Sequence, residues 1–216
     1  MRRLRVDQIP IYLVHWPDGV TALDDVLGEL AEQQRRGKIG AFGLSNFNVT
    51  QMLASATAGA SVVELPLSLV EQDRADEFAA LVAGGLSTIA YGVYAQGLLT
   101  GKYDQGARFG SDDRRHRLPH FAPKRWAANQ DLLGRLRSSA ERLDARPSEV
   151  AMAWALLHDV NVALFGARTL AHVESALRGA ELVLPPDVIE LLGSPAGSAN
   201  GDLQESTTKP EGRGQQ

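Results

Sequence analysis

Residues that can do chemistry follow the short apolar runs of this chain. His15 comes after the first run, Ser45 and Asn46 come after the second, Tyr91 closes the fourth, and Gly166-Ala167-Arg168 follows the fifth. A histidine titrates near neutral pH and can act as an acid or a base. Serine and asparagine can bind an amide, a tyrosine ring can stack on a planar ligand, and an arginine can bind phosphate. The spacing therefore predicts a small-molecule site at the ends of these runs.

Each of these residues also has a simpler interpretation. His15 can be a histidine that is satisfied at the end of a strand, and Ser45 and Asn46 can cap the helix that follows them. The Tyr91 ring can be ordinary packing at a rim. Glu64 is either a base whose pKa burial raises or a solvated carboxylate at a strand end, and the sequence favours the solvated carboxylate.

The connection between residues 92 and 124 contains three further clusters. His116 and His120 lie four residues apart beside Asp112 and Asp113, but they lack a third ligand, so the sequence predicts no metal site. The run Arg114-Arg115-His116-Arg117 could hold a pyrophosphate or an anionic substrate, although flanking aspartates are more typical of a solvated loop. The stretch from Gly97 to Lys102 is one residue too short for a phosphate-binding loop.

Composition excludes several classes of function. The chain has 22 Lys and Arg against 26 Asp and Glu, a formal net charge of −4, which argues against nucleic acid or an anionic membrane as a partner. It has no cysteine, which excludes thiolate catalysis and fits a reducing compartment, so we expect a cytoplasmic location. The basic start from Met1 to Arg5 precedes an apolar run too short for a signal peptide, and no stretch approaches the length of a membrane span.

The apolar and polar periodicity predicts strands that alternate with helices. The predicted strands cover residues 9–14, 39–44, 62–67, 86–91 and 161–165. The predicted helices cover residues 23 to about 36, 49–57, 73–82, 126–143, 148–157, 170–177 and 186–192. This order favours a parallel α/β sheet whose site lies at the strand ends, with residues 92–124 as a lid or a mobile loop. We expect one domain over residues 1–192 and a disordered tail over 193–216.

Five segments, in order between residues 4 and about 184, resemble the aldo-keto reductase family. They match its strand-four motif, its strand-five motif, the segment after strand seven, the helix before strand eight and the strand-eight phosphate segment. The matching segments are, in that order, Tyr12 to Pro17, Gly37 to Phe47, Gly97 to Tyr103, Pro147 to Leu157, and Gly166 to Thr169.

The resemblance implies a (β/α)8 barrel that binds NADP(H) and reduces carbonyls by hydride transfer, with an Asp, a Tyr, a Lys and a His as catalytic residues. Only the His is carried over, as His15. The Met1 end aligns just before strand four, so the first three strands, with the Asp, Tyr and Lys, have no counterpart. We therefore expect a partial (β/α)8 barrel that lacks the first three β/α units and exposes its sheet edges.

The resemblance also assigns cofactor-binding positions. Ser45 and Asn46 match the pair that holds the nicotinamide carboxamide, and Tyr91 matches the ring that stacks on nicotinamide. Glu64 stands where the family commonly has a Gln, and Gly166 and Arg168 match the phosphate segment. Other matched positions depart from the family, which predicts weakened cofactor binding; these are Pro10, Gly92-Val93-Tyr94, Phe165, His172 and Ala176.

Three functions remain open from the sequence. The first is an NADP(H)-linked carbonyl oxidoreductase whose activity is impaired or altered, acting on a small-molecule carbonyl and completed by a homo-oligomer or a complementing chain. The second is a cofactor-independent cyclase, dehydratase or isomerase that uses His15 as acid or base, with Glu64 or Tyr94 as a further group for proton transfer. The third is a non-catalytic binding or oligomeric partner protein, whose exposed edges are satisfied by self-association.

Overall fold

A five-stranded parallel sheet forms the centre of the molecule. The computed structural model describes residues 3–103, 107 and 109–193, so the predicted tail lies outside the described residues except for Gly193. The strands are β1 (Ile9–Val14), β2 (Ile39–Ser45), β3 (Val62–Pro66), β4 (Ser87–Tyr91) and β5 (Val162–Ala163), and they lie side by side in that order. All four strand pairs are parallel, and helices occupy every crossover, which confirms the predicted α/β architecture.

The sheet is open, because β1 and β5 each pair with one strand only among the described residues. This is the partial barrel that the sequence predicts. In the centre of the sheet, β2 and β3 approach so closely that a Cβ on Gly43 would lie 1.6 Å from the carbonyl oxygen of Val62. A side chain cannot be placed there, so Gly43 is required by the close contact of the two backbones.

The described residues form seven α-helices around the sheet: α1 (Leu23–Arg35), α2 (Val49–Ser55), α3 (Ala75–Ala83), α4 (Pro123–Arg142), α5 (Pro147–Leu156), α6 (Leu170–Glu181) and α7 (Pro186–Leu192). Local sequence explains where several of them begin. Asn48 caps α2 in a capping box with Gln51, and Thr169 caps α6. Proline occupies the first turn of α4, α5 and α7, where its missing N–H costs nothing.

Most elements agree with the prediction to within two residues in length, and β5 and α6 differ more. β5 is only two residues long, because it lies at the open edge and the chain leaves β4 after the Leu164 N–H donates to Ala90, at 2.7 Å. α6 continues four residues beyond the predicted end, through Gly179. A Cβ on Gly179 would lie 2.8 Å from the Cβ of Met152 on α5, so this glycine permits close packing of two helices and does not end α6.

The described part of the long connection between β4 and α4 contains 3₁₀ turns at Ala95–Thr100, Arg114–Arg117 and Pro119–Phe121, and the first of these is kinked at Gln96 and Gly97, where φ is positive. The Phe109 and Phe121 rings pack edge to face with centroids 4.8 Å apart, and they belong to a cluster of aromatic rings that holds the described part of this connection against α4. The other members of the cluster are Tyr103 and Trp126.

The hydrophobic core lies between the sheet and its helices. Phe42, Leu44, Leu65 and Leu81 are fully buried in it, as a parallel sheet with helices on its face requires. No helix in the part of the chain that the structure describes is both long and apolar enough to cross a membrane.

Candidate functional site

A chain of hydrogen bonds joins the polar residues at the carboxyl ends of the first four strands. The Tyr91 hydroxyl donates to Oδ1 of Asn46 at 2.6 Å, and Nδ2 of Asn46 donates to Oγ of Ser45 at 2.9 Å and to the His15 carbonyl at 2.8 Å. The Ser45 hydroxyl donates to Oε2 of Glu64 at 2.6 Å. We call Ser45, Asn46, Glu64 and Tyr91 the amide end of the site.

Backbone geometry explains why Asn46 can link these strands. Its φ of +65° lies in the left-handed region, which asparagine tolerates better than most residues. The turn brings the Asn46 N–H to the Glu64 carbonyl at 3.2 Å and leaves Asn48 to cap α2. The interpretation of Ser45 and Asn46 as helix caps is therefore wrong, because the side chains of both residues point into the strand-end network.

His15 lies at the same edge of the sheet but takes part in the network only through its carbonyl. Its side chain is exposed, and its ring is tilted against the Trp16 ring with centroids 6.1 Å apart. Among the described residues the imidazole nitrogens have no hydrogen-bond partner. The imidazole is thus accessible to a ligand at the strand ends.

Tyr91 is half-buried, and its pKa is raised. Burial is the main cause, and the carboxylates of Glu71 and Glu64 add to it, whereas Arg74 opposes them. A raised pKa keeps the phenol protonated at neutral pH, so it stays a hydrogen-bond donor to Asn46. Tyr91 is therefore a fixed polar ring at the strand end and a poor source of protons.

A cleft of about 1170 Å³ opens beside Tyr91, between the ends of β4 and β5 and the starts of α5 and α6. Four cations line it: Lys102, Arg115, Arg146 and Arg168. His15 does not line this cleft, whereas Tyr91 does and so connects it to the amide end.

The cations of the cleft differ in their partners. Arg115 is paired with Asp113, whose Oδ1 accepts its Nε–H at 2.8 Å, and Arg146 lies 4.0 Å from Glu149. Lys102 and Arg168 have no acidic partner among the described residues. Burial lowers the pKa of Lys102, the nearby charges of Arg115 and Arg168 lower it further, and Asp113 opposes them. The cleft thus holds two cations, Lys102 and Arg168, that form no ion pair among the described residues, although Asp112 and Asp113 also line it.

The start of α6 borders the same part of the cleft. The Thr169 hydroxyl accepts the His172 N–H at 3.4 Å, and the Arg168 N–H donates to Nδ1 of His172 at 3.2 Å. A Cβ on Gly166 would meet no atom within 4 Å, so the glycine leaves open space in front of the helix. We call Lys102, Arg168 and the first turn of α6 the cationic end of the site.

An aromatic pair, Tyr94 and Phe165, forms a wall of the cleft. The rings of Tyr94 and Phe165 meet edge to face with centroids 6.2 Å apart. The Tyr94 hydroxyl is buried without a hydrogen-bond partner among the described residues, and burial together with Glu149 raises its pKa to about 12. In the sequence, both residues depart from the family pattern, and Tyr94 is also a candidate for proton transfer.

In the charged run after Asp113, Arg117 is exposed, as the favoured interpretation of a solvated loop predicts, but Arg115 is not. Arg115 is half-buried, lines the cleft and packs over the Phe109 ring at 4.7 Å. The side chains of Arg114 and His116 lie outside the described residues. In the ranges that the structure describes, no group of three potential metal ligands is assembled.

Comparison with known proteins identifies relatives over most of this chain. The sequence pattern of the "Aldo/keto reductase family" matches residues 1–194. Aldo-keto reductase YhdN of Bacillus subtilis is 30% identical over 179 residues, which are 81% of this chain and 54% of YhdN. The uncharacterized oxidoreductase Rv2298 of Mycobacterium tuberculosis is 33% identical over 189 residues, which are 85% of this chain and 57% of that protein.

Solved structures show the same fold. The glycerol dehydrogenase AKR11B4 from Gluconobacter oxydans superposes with a TM-score of 0.81 at 29% identity, over 88% of this chain and 59% of that chain. The holo form of aldo-keto reductase AKR11C1 from Bacillus halodurans gives a TM-score of 0.71 at 20% identity, over 95% of this chain and 67% of that chain. The chain thus spans little more than half the length of the curated relatives that it matches.

Proposed function

Because this chain belongs to the aldo/keto reductase family, we propose that it binds NADP(H) in the cleft and serves an NADP(H)-linked carbonyl oxidoreduction. One observation carries the proposal: Tyr91 belongs to the amide end and lines the cleft that contains the cationic end. NADP(H) carries a carboxamide on its nicotinamide ring at one end, and its phosphate groups lie farther along the molecule. The cationic end lies in the cleft, and the amide end meets the cleft at Tyr91.

The cationic end fits the phosphate groups. Lys102 and Arg168 carry charge without an acidic partner in the described chain, and the twelve-residue helix α6 begins beside them. Backbone N–H groups and the helix dipole favour an anion at such a helix start. Thr169 already uses one of these N–H groups, that of His172, so the two side-chain cations carry most of the expected interaction.

The amide end fits a carboxamide on one side only. A carboxamide needs an acceptor for its NH₂ and a donor for its carbonyl. Oε1 of Glu64 has no partner within the described ranges and can accept an N–H, whereas both N–H groups of Asn46 are already donated to His15 and Ser45. Binding a carboxamide here therefore exchanges one existing hydrogen bond for another, and we expect the phosphates to supply most of the affinity.

NADP(H) would supply the hydride, and the residues of this chain would bind the cofactor and orient the carbonyl substrate. The exposed His15 imidazole lies at the strand-end edge, where it can donate a hydrogen bond to a carbonyl oxygen. The Asp, Tyr and Lys of the resemblance have no counterpart in this chain, so we propose that carbonyl reduction by this chain alone is impaired or altered. We retain the cytoplasmic location with this proposal, because the chain has no cysteine.

The test is a titration of the purified chain with NADPH, followed by quenching of Trp fluorescence. We expect binding, and we expect Arg168→Ala to raise the Kd by about 10- to 100-fold, because it removes a charge-assisted contact worth about 1.5–3 kcal/mol. The matched control is Arg35→Ala, which removes an exposed arginine on α1 that does not line the cleft. The control variant should keep the wild-type Kd.

Failure to bind at millimolar NADPH would refute the proposal. An equal loss of affinity in both arginine variants would refute the assignment of Arg168, because it would reflect net charge alone. With the cofactor refuted, the remaining hypotheses are cofactor-free chemistry at His15 and a non-catalytic partner role. Turnover of a carbonyl substrate without nicotinamide would select the first of these.

A further inference from the structure

Glu149 is a buried carboxylate that the proposed binding of NADP(H) does not use. It lies in the first turn of α5, is only 5% exposed and does not line the cleft. Burial alone would raise its pKa, but hydrogen bonds from Arg146, Arg178 and Ser175 and the charge of Arg178 outweigh burial. The pKa of Glu149 therefore lies below its usual value, and the side chain is ionised at neutral pH.

Both oxygens of the Glu149 carboxylate accept hydrogen bonds, and the donors belong to two helices. Oε2 accepts the backbone N–H of Arg146 at 3.0 Å, at the start of α5. Oε1 accepts the Ser175 hydroxyl at 3.1 Å and the Nε–H of Arg178 at 2.9 Å, and both donors lie on α6. The helices also come close together at this turn, because a Cβ on Gly179 would lie 2.9 Å from the Glu149 carbonyl oxygen. The carboxylate therefore fixes how α6 lies along α5.

The same hydrogen bonds reach the wall of the cleft. The Ser148 and Ser175 hydroxyl oxygens, which both belong to residues that line the cleft, lie 3.0 Å apart. Because Ser175 donates its single proton to Glu149, its oxygen accepts the proton of Ser148. Glu149 thus orients two hydroxyls of the cleft wall from behind that wall.

We propose that Glu149 is a positioning residue for the cationic end: it holds α6 so that Arg168 and the first turn of α6 face the phosphates of the cofactor. This inference rests on the proposed function, because it takes those phosphates as the ligand of the cationic end. Arg168 and Thr169 directly precede α6, which is one continuous helix of twelve residues. A slide or rotation of α6 at Ser175 therefore moves its first turn as well.

Electrostatic repulsion and positioning predict opposite results when the charge of Glu149 is removed. A carboxylate close to a cationic site repels an anionic ligand, so its neutralisation alone would strengthen the binding of phosphates. In Glu149→Gln, however, Arg178 loses its ion pair, and an amide has only one oxygen for three donors, so at least one donor is left facing the NH₂ group. If Glu149 holds α6, binding weakens instead.

The test is the binding of 2′-phospho-ADP-ribose, which carries the phosphates of NADP(H), to the full 216-residue chain in isothermal titration calorimetry. We expect Glu149→Gln to raise the Kd roughly fivefold or more, because the charged contact between α5 and α6 is lost. The matched control is Glu174→Gln, which removes the same charge from an exposed residue of α6 that does not line the cleft. The control variant should not raise the Kd.

A double variant separates positioning from a general loss of stability. If Glu149 acts by holding Arg168 in place, Glu149→Gln should cost much less affinity in an Arg168→Ala background than in the wild-type chain. A general loosening of the fold would cost the same affinity in both backgrounds.

Amide hydrogen exchange of the ligand-free chain measures the position of α6 without any cofactor. We expect faster exchange in α6 in Glu149→Gln and in Ser175→Ala, which removes one donor to the carboxylate without changing the net charge. Exchange in Glu174→Gln should equal that of the wild-type chain. Circular dichroism checks that each variant folds, and Ser175→Ala decides the test if Glu149→Gln does not fold.

The possible failures point to different errors. A wild-type chain that does not bind the fragment would refute the proposed function, and this inference with it. A wild-type chain that binds, together with a Glu149→Gln variant that binds equally well or more tightly, would refute only the role of Glu149. Additive losses in the double variant, or wild-type affinity and wild-type exchange of α6 in Ser175→Ala, would also refute this role.

Discussion

The amide end and the cationic end of the site differ in how their polar groups are satisfied. At the amide end, Asn46 and Ser45 donate all their side-chain N–H and O–H groups to partners in the same chain. At the cationic end, Lys102 and Arg168 have no acidic partner among the described residues. A group that is already paired must break a hydrogen bond before it can bind a ligand, whereas an unpaired cation gains a partner. The cationic end should therefore supply affinity, and the amide end should supply orientation.

The largest expected effect separates the two ends with a fragment of the cofactor. 2′-Phospho-ADP-ribose carries the phosphates of NADP(H) but lacks nicotinamide. We expect the double variant Lys102→Ala and Arg168→Ala to weaken binding of this fragment by roughly 100-fold or more, because two charge-assisted contacts are lost. Isothermal titration calorimetry measures the change.

The control for this prediction is Asn46→Ala, which alters only the amide end. It should leave the affinity for the fragment unchanged while it weakens NADPH binding. If Asn46→Ala weakened binding of the fragment as much as the double variant Lys102→Ala and Arg168→Ala does, the division of the site into two ends would be wrong.

An intermediate effect is expected from the charge of Glu64. Its carboxylate can accept an N–H from the carboxamide of nicotinamide, but it repels the carboxylate that replaces this carboxamide in nicotinic acid. We expect the wild-type chain to prefer NADP over its deamidated analogue, which carries nicotinic acid, by roughly tenfold. Glu64→Gln should remove most of this preference, and a competition titration with the two nucleotides measures it. An unchanged preference in Glu64→Gln would show that Glu64 does not face the ring substituent.

The sequence was sufficient to predict the strands and helices at the centre of the fold. β2 and β3 are apolar runs bounded by turn residues, and in α2 the cap Asn48 and its partner Gln51 lie three residues apart, so local spacing defines the elements. The sequence was not sufficient to predict that α6 continues through Gly179. A glycine within a helix and a glycine after a helix differ only in what packs against them. Here the packing partner, Met152, lies on another helix.

The strand-end residues of the site were predictable for a similar reason, and their connections were not. Parallel strands place their carboxyl ends at one edge, so Ser45, Asn46 and Tyr91 follow from the strand pattern. The hydrogen bond from Ser45 to Glu64 depends on the register between β2 and β3, which spacing along the chain does not encode. The position of Arg115 in the cleft depends on the path of a long connection, and local periodicity does not predict that path.

The smallest expected effect concerns the pH at which the cationic end loses its charge. Burial, Arg115 and Arg168 lower the pKa of Lys102, so its charge is lost at a lower pH than that of an ordinary lysine. Affinity for 2′-phospho-ADP-ribose should therefore be full below this pKa and should fall as the pH rises through it. In Arg168→Ala one of the neighbouring cations is removed, so the fall should move to higher pH although the affinity is weaker throughout. Titrations between about pH 7 and pH 11 span the lysine range and measure the shift. A midpoint that stays in place would mean that Lys102 and Arg168 act independently, and the cationic end would then be two separate contacts instead of one coupled pair.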